Sequence, residues 1–288
     1  MKKIVLVLFS IFLFFGCEDV IEIEVPSGEP KLIVDAFFEV YYNQTPVAAT
    51  TIVKLRESTD YFEEQIPIVT TATVLLKDLT NNIEIIFLDG NLDGNYEPTT
   101  PFIPQSNVEY ELNIYYNQEV YRGVASKIIT SGFTDAFQGE NTLFSGEEIE
   151  INVTFIDDIN SENYYLFDFS NNLYLPIEDR FFNGSIYNFS FFYQKDEIEL
   201  PSDVSIKMSG VSKDYLTYFR VLSGQSGQSS GGPFQTIPSS LLGNIVNVTN
   251  SENFPLGYFH ISETDTYDLS LIESVSYTHL RAHETRLN

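Results

Sequence analysis

The sequence predicts a mainly β protein: an immunoglobulin-like β-sandwich followed by a second β-rich domain with one short helix. Three observations predict it. The aromatic palette is 24 Phe and 18 Tyr with no Trp, a composition that suits half-buried pleated surfaces. Short runs that alternate apolar and polar residues recur along the chain, each bounded by Asn, Gly, Pro or Asp. Only one stretch carries the 3.6-residue period of a helix.

The first strand candidates are Leu32–Val40, Thr51–Arg56, Thr71–Lys77 and Ile83–Leu88, followed by Val108–Tyr116 and Val120–Ile129. In Val108–Tyr116 the order Val-Glu-Tyr-Glu-Leu-Asn-Ile-Tyr-Tyr alternates at period two, the mark of a strand with one face buried. Asn117-Gln118 then turns the chain into a hairpin. Six or seven such strands in about a hundred residues predict a sandwich over residues 31–130. The Gly-rich, polar passage 131–147 reads as a linker, and a second β-rich domain follows over 148–274. Its strands are Glu148–Ile156, Tyr164–Phe169, Ser185–Tyr193 and Val204–Met208.

The helix is expected near residues 213–222. Ser212 is placed to cap it, and Tyr215, Tyr218, Phe219 and Leu222 fall at i, i+3, i+4 and i+7, a single apolar stripe. The Gly- and Ser-rich run from Ser223 to Gly232 is a loop, and from Pro233 onward short strands and turns are expected.

The N-terminus has a different character. Met1-Lys2-Lys3 precedes an almost wholly apolar run, Ile4 to Phe15, and then Gly16-Cys17. A short basic start, about a dozen apolar residues and a small residue form a secretory leader, too short for the roughly 20 residues that cross a bilayer as helix. Phe14-Phe15-Gly16-Cys17 resembles a lipobox, with Phe where Leu is commoner. Residues 1–16 are therefore expected to be removed, Cys17 to be acylated, and 17–30 to serve as the tether. Three acyl chains exceed what stable anchoring needs. Cys17 is the only cysteine, so no intramolecular disulfide can form and the fold rests on core burial. Glu18-Asp19 behind it resembles the signal that sends such lipoproteins to the cell surface.

Residues 275–288 read as a sequencing-adapter artefact. Val275 to Thr285, back-translated, reproduces a transposon-end library adapter, so His279 and His283 are not ligand candidates and are set aside. Without Lys2, Lys3, Arg281 and Arg286, 11 of 15 basic residues remain, and without Glu284, 40 of 41 acidic ones, a net charge of −29. This balance excludes nucleic acid as a partner and disfavours adsorption to anionic lipid.

The chemical motifs are few. Asp89-Gly90-Asn91-Leu92-Asp93-Gly94 places oxygen donors at positions one, three and five and Gly at six, the opening of a calcium loop. Asp89, Asn91 and Asp93 are thus metal-ligand candidates for Ca2+, although position twelve is Thr100 and Pro98 interrupts the second half. The competing expectation is a plain turn. His260 is the one histidine outside the tail and is expected to be partly buried in a strand. With a single His and no nucleophile elbow, a hydrolytic triad finds no support. The pairs Asp157-Asp158 and Glu147-Glu148 have the carboxylate chemistry of a glycosidase, but at strand ends they read as solvated turn residues. No catalytic residue is assigned.

Several segments carry a family resemblance. They are Lys31-Leu32-Ile33-Val34-Asp35-Ala36, Asp93-Gly94-Asn95-Tyr96 ahead of Val108–Ile114, Asn163-Tyr164-Tyr165, and Pro233-Phe234 leading to Gly243-Asn244-Ile245 and Leu256-Gly257-Tyr258-Phe259. With the acylated cysteine, these resemble a family of Bacteroidota lipoproteins, domain-of-unknown-function family 4249, often encoded beside a TonB-dependent receptor. The resemblance implies a β-sandwich lipoprotein of the outer membrane and supplies no binding residues. The expectation is a non-catalytic accessory or binding component that acts with such a receptor in nutrient uptake. A structural or adhesive surface protein is the alternative, and a surface hydrolase is a third.

Overall fold

The computed structural model describes residues 28–60, 63, 65–225 and 241–273. The leader, Cys17, most of the tether, Pro233-Phe234 and the 275–288 tail lie outside the described residues. Eight strands come from the first part of the chain: β1 (Leu32–Tyr41), β2 (Ala48–Thr50), β3 (Val53–Glu57), β4 (Thr73–Asp78), β5 (Ile83–Leu88), β6 (Asn95–Pro98), β7 (Glu109–Tyr116) and β8 (Glu119–Ile128). Six follow: β9 (Phe133–Gln138), β10 (Ile149–Ile156), β11 (Tyr164–Asp168), β12 (Tyr174–Glu178), β13 (Ile186–Tyr193) and β14 (Ser202–Gly210). Helix α1 (Lys213–Gln225), β15 (Ile245–Asn247) and β16 (Leu256–Leu271) complete the described chain. No helix among the described residues is long and apolar enough to cross a membrane.

The protein is mainly β and built as two sandwiches. One 13-stranded sheet runs β12-β11-β14-β16-β1-β3-β6-β5-β4-β7-β8-β15, with β2 on β1, and a second pairing of β16 with β8 closes the run from β16 to β8 on itself. Val34, Phe38, Leu55, Leu76, Phe87, Tyr110, Leu112 and Phe259 fill the first core inside that closed run. The second core lies between β12-β11-β14-β16 and the separate three-stranded sheet β13-β10-β9. Phe155, Tyr165, Phe167, Phe169, Ile206 and Leu271 fill it.

Local chemistry sets the elements. In β1 the residues Leu32, Val34, Ala36, Phe38 and Val40 are buried at period two, as the sequence predicts. The β7–β8 hairpin closes over Asn117 and Gln118, both at positive φ (49° and 65°), the backbone that matches the twist of paired strands. After β4 the buried Asp78 carboxylate accepts the N–H groups of Thr80 and Asn81, an Asx turn.

The two sandwiches share β16, and this departs from the sequence reading. Leu256–Ser262 and beyond pair parallel with β1, and Ile261 and Ser262 also pair with β8. From Thr264 to Leu271 the same strand pairs antiparallel with β14. One face points Phe259 and Ile261 into the first core and Tyr267, Leu269 and Leu271 toward the second. The sequence suggested only short strands here because Ser262, Glu263, Thr264 and Asp265 interrupt the apolar pattern. These residues lie at the junction, where hydrogen bonds take the place of apolar contact. Ser262 Oγ donates to the Gly210 carbonyl (2.7 Å), and Ser209 and Thr264 share a hydrogen bond of 2.9 Å. Asp265 accepts the Phe133 N–H at 2.7 Å, and Lys127 pairs with Glu263 at 3.1 Å. The 131–147 stretch, read as a linker, contains β9, a full member of the second sandwich. β15, placed by the sequence in the second domain, pairs with β8 of the first sandwich.

His260 is not partly but almost wholly buried, 3% exposed. Its ring packs on those of Phe37 (5.5 Å) and Tyr215 (4.7 Å), which also touch each other, with Nε2 3.4 Å from the Gly210 carbonyl. Burial drives its pKa down to about 4, against the raising effect of that hydrogen bond.

Two predictions follow from this packing. Gly257 holds φ +102° with Val34 backbone directly where a Cβ would stand, so Gly257→Ala is expected to cost about 2–3 kcal/mol by urea denaturation. The same change at Gly90, where a Cβ meets nothing within 4 Å, is expected to be near neutral. Because His260 is neutral in the fold and charges more readily once unfolded, its contribution is complete above about pH 6.5 and lost as pH falls toward 4. The wild type is expected to lose about 2 kcal/mol between pH 8 and pH 5 from this source, and His260→Phe to remove that part of the slope.

Candidate aromatic cleft

Helix α1 begins where the sequence places it. Ser212 Oγ accepts the Tyr215 N–H at 3.1 Å, one of the groups that a helix start leaves open, and the Ser212 carbonyl accepts the first intrahelical bond, from the Leu216 N–H at 2.9 Å. The residue it buries is Leu216, 1% exposed, against Leu166 and Val211. The predicted stripe lies to one side of that contact. Tyr215, Tyr218 and Phe219 are half-buried and Leu222 is 42% exposed.

The stripe forms one wall of a cleft of about 1470 Å³. The opposite wall is the outer face of β1 and β16: Ile33, Asp35 and Phe37 from the first, Leu256 and Tyr258 from the second. Tyr215 packs on Phe37 (5.3 Å) and edge-on to Tyr258 (5.1 Å), Tyr218 packs on Tyr258 (5.0 Å), and Phe219 meets Tyr174 (5.3 Å). Burial first, and the nearby Asp35 carboxylate second, push the Tyr215 and Tyr218 phenols up from 10, so both stay neutral at physiological pH.

The rim is charged. Glu29, Glu57 and Asp60 line it together with Lys31. Lys31 Nζ donates to the Glu252 carbonyl and to Asn253 Oδ1, both at 3.3 Å, and sits 4.6 Å above the Phe254 ring. Asp35 pairs with Lys54 at 3.3 Å, and Glu57 accepts the Tyr116 hydroxyl at 2.9 Å. The sequence pointed to this cleft through the helix stripe. A signal left unread was the outer side of β1, where Ile33 and Phe37 stand among Asp35 and Glu39.

The metal candidates are arranged otherwise. The two Asp89 carboxylate oxygens accept the N–H groups of Asp93 (3.1 Å) and Gly94 (2.8 Å), and Asp93 accepts that of Asn95 (2.9 Å). The Asp89 carboxylate thus closes a turn through its own backbone. Among the described residues no group of three or more His, Cys, Asp or Glu could hold a metal ion.

The paired carboxylates differ from expectation in burial. Asp157 (4% exposed) and Glu148 (7% exposed) are buried, not solvated. Asp157 accepts the Tyr165 hydroxyl (2.5 Å) and the Gly184 N–H (2.8 Å). Glu148 is held by the N–H groups of Leu143, Ser145 and Gly146. Desolvation would raise its pKa, but these loop donors outweigh it and bring it down to about 2. The aromatic run of β13 is core: Tyr187, Phe189, Phe191 and Tyr193 face the second sandwich interior.

No curated protein matches the chain. Among solved structures it is similar to a DUF4785 family protein from Legionella pneumophila subsp. pneumophila, at 12% identity and a TM-score of 0.21, over 62% of this chain and 52% of that one. It is also similar to the chicken interferon gamma receptor alpha chain, at 13% identity and a TM-score of 0.18, over 65% and 89%. The first alignment spans about half the length of the Legionella protein, and neither likeness bears on function. Residues 18–268 match the family described as a domain of unknown function, DUF4249. That match runs through both sandwiches and the strand they share, and the chain belongs to the DUF4249 family.

Proposed function

We propose that this protein is a lipid-anchored component of a bacterial outer membrane, of Bacteroidota type, that binds without catalysing and works with a TonB-dependent receptor in nutrient uptake. The observation that carries the reading is the aromatic cleft under α1, open beside the point where the chain comes up from its anchor. Gly28 lines the cleft and stands only eleven positions after Cys17. At no more than about 3.6 Å per residue the cleft stays within about 40 Å of an acyl group on Cys17. A partner embedded in the same membrane is within reach of it.

Three features of the chain support the reading. The leader and lipobox-like Phe14-Phe15-Gly16-Cys17 supply the anchor. Glu18-Asp19 behind the cysteine suits the outer surface. A net charge of −29 for residues between leader and tail keeps the body of the protein off anionic lipid and nucleic acid. The carboxylates that would serve hydrolysis are already engaged, Glu148 by N–H groups of its own loop and Asp157 by the Tyr165 hydroxyl and the Gly184 N–H.

Affinity purification of the tagged, acylated protein from detergent-solubilised outer membranes, with partners identified by mass spectrometry, tests the proposal. A TonB-dependent receptor in stoichiometric amount is the expected result. Cys17→Ala is expected to move the protein to the soluble fraction and to abolish that recovery. Recovery of the acylated lipoprotein alone would overturn the uptake reading in favour of a structural or adhesive surface role.

A further inference from the structure

We infer that the cleft under α1 receives a basic segment of another polypeptide, one that carries aliphatic or aromatic side chains between its Lys or Arg residues. The inference rests on the reading of the protein as a binding component and names what the site binds. Three observations converge on it: the size of the cleft, the apolar character of its floor and the sign of its rim.

At about 1470 Å³ the cleft exceeds the ~300–1,000 Å³ that small ligands occupy. It has room for a length of chain. Its floor of Ile33, Phe254 and Leu256 is apolar, and Tyr218 and Phe219 stand over it on α1. Such a floor takes up aliphatic or aromatic anchors, the side chains that dominate docking of a segment into a groove.

The rim selects the sign of the partner. Glu29, Asp35, Glu57 and Asp60 line the cleft against a single ammonium, Lys31. That ammonium is already held by Glu252 and Asn253 and lies over Phe254. Lys54 balances Asp35, which leaves Glu29, Glu57 and Asp60 as an acidic border. Lys or Arg side chains crossing this border meet carboxylates, and those that turn inward meet the tyrosine faces, which attract cations. An acidic segment is repelled. Charge of this kind sets specificity and on-rate more than affinity, so binding should weaken with salt.

The test uses the mature chain with Cys17→Ser and three fluorescein-labelled peptides of about twelve residues, which alternate Leu with Arg, Ser with Arg, and Leu with Glu. Fluorescence anisotropy is expected to show binding of the Leu/Arg peptide and at least tenfold weaker binding of the other two. Tyr218→Ala is expected to weaken the Leu/Arg peptide at least tenfold, Tyr218→Phe to weaken it less than threefold, and Glu29→Gln with Asp60→Asn to flatten its salt dependence. Unchanged thermal melting of these variants excludes misfolding as the cause.

Equal binding of the Ser/Arg peptide, or no effect of Tyr218→Ala, would overturn the assignment, since either means attraction to the acidic surface at large. Displacement of the peptide by a neutral oligosaccharide such as maltohexaose would overturn the polypeptide as occupant. Receptor recovery from membranes without peptide binding overturns this inference and leaves the uptake reading intact. Tyr218-dependent peptide binding without receptor recovery does the reverse.

Discussion

Everything in this fold hangs on one strand that belongs to two sandwiches. β16 contributes Phe259 and Ile261 to the first core and Leu271 to the second, with Leu269 half-buried beside it, and each fully buried side chain of this kind stabilises by about 1.5–3 kcal/mol. Its middle, Ser262 to Asp265, makes the polar contacts that fix the junction. A flexible linker between sandwiches would leave their relative placement open. A continuous strand, hydrogen-bonded to β1 and β8 at one end and to β14 at the other, fixes it. The side contacts agree with this: Lys207 of β14 pairs with Glu39 of β1 at 3.0 Å, and Ser131 meets Tyr165 at 3.0 Å.

That arrangement also makes the cleft. The outward face of β16 carries Tyr258 and His260 beside Phe37 of β1, an aromatic surface on the back of the first sandwich. Helix α1, rooted in the second sandwich by Leu216, lies over it. The site is thus built from both units and would lose one wall if they parted. His260 is the pin beneath it, packed on both Phe37 and Tyr215, and its burial as a neutral ring ties the packing beneath the cleft to pH.

Much of this was legible in the residues. Period-two runs such as Leu32–Val40 and Val108–Tyr116 announced strands because one face of each is buried and the other wet. Ser212 and the Tyr215, Tyr218, Phe219 stripe announced the helix. β9, β12 and the length of β16 were hidden for a common reason: their residues are buried against polar partners or only partly covered, so apolar periodicity never develops. Burial of Asp157 and Glu148 was equally hidden, since a carboxylate inside a loop is satisfied by main-chain N–H groups that no side-chain pattern reveals. The cleft was half visible. A stripe of aromatics says only that a helix has an apolar side, and nothing local to it states that Leu216 takes the packed position while Tyr218 stays half-buried and Leu222 exposed.

The pairing of β1 with β16 joins residues more than two hundred positions apart, and closing so long a loop is slow. Ribosomes deliver the chain from its first strand onward, so β1 through β8 and β9 through β14 are made well before the strand that completes either of them. Neither core can seal in the meantime. A topology that withholds its shared strand until late in synthesis keeps the growing chain open and its two halves uncommitted, so the last fifth of the sequence decides when the whole protein becomes a solid body.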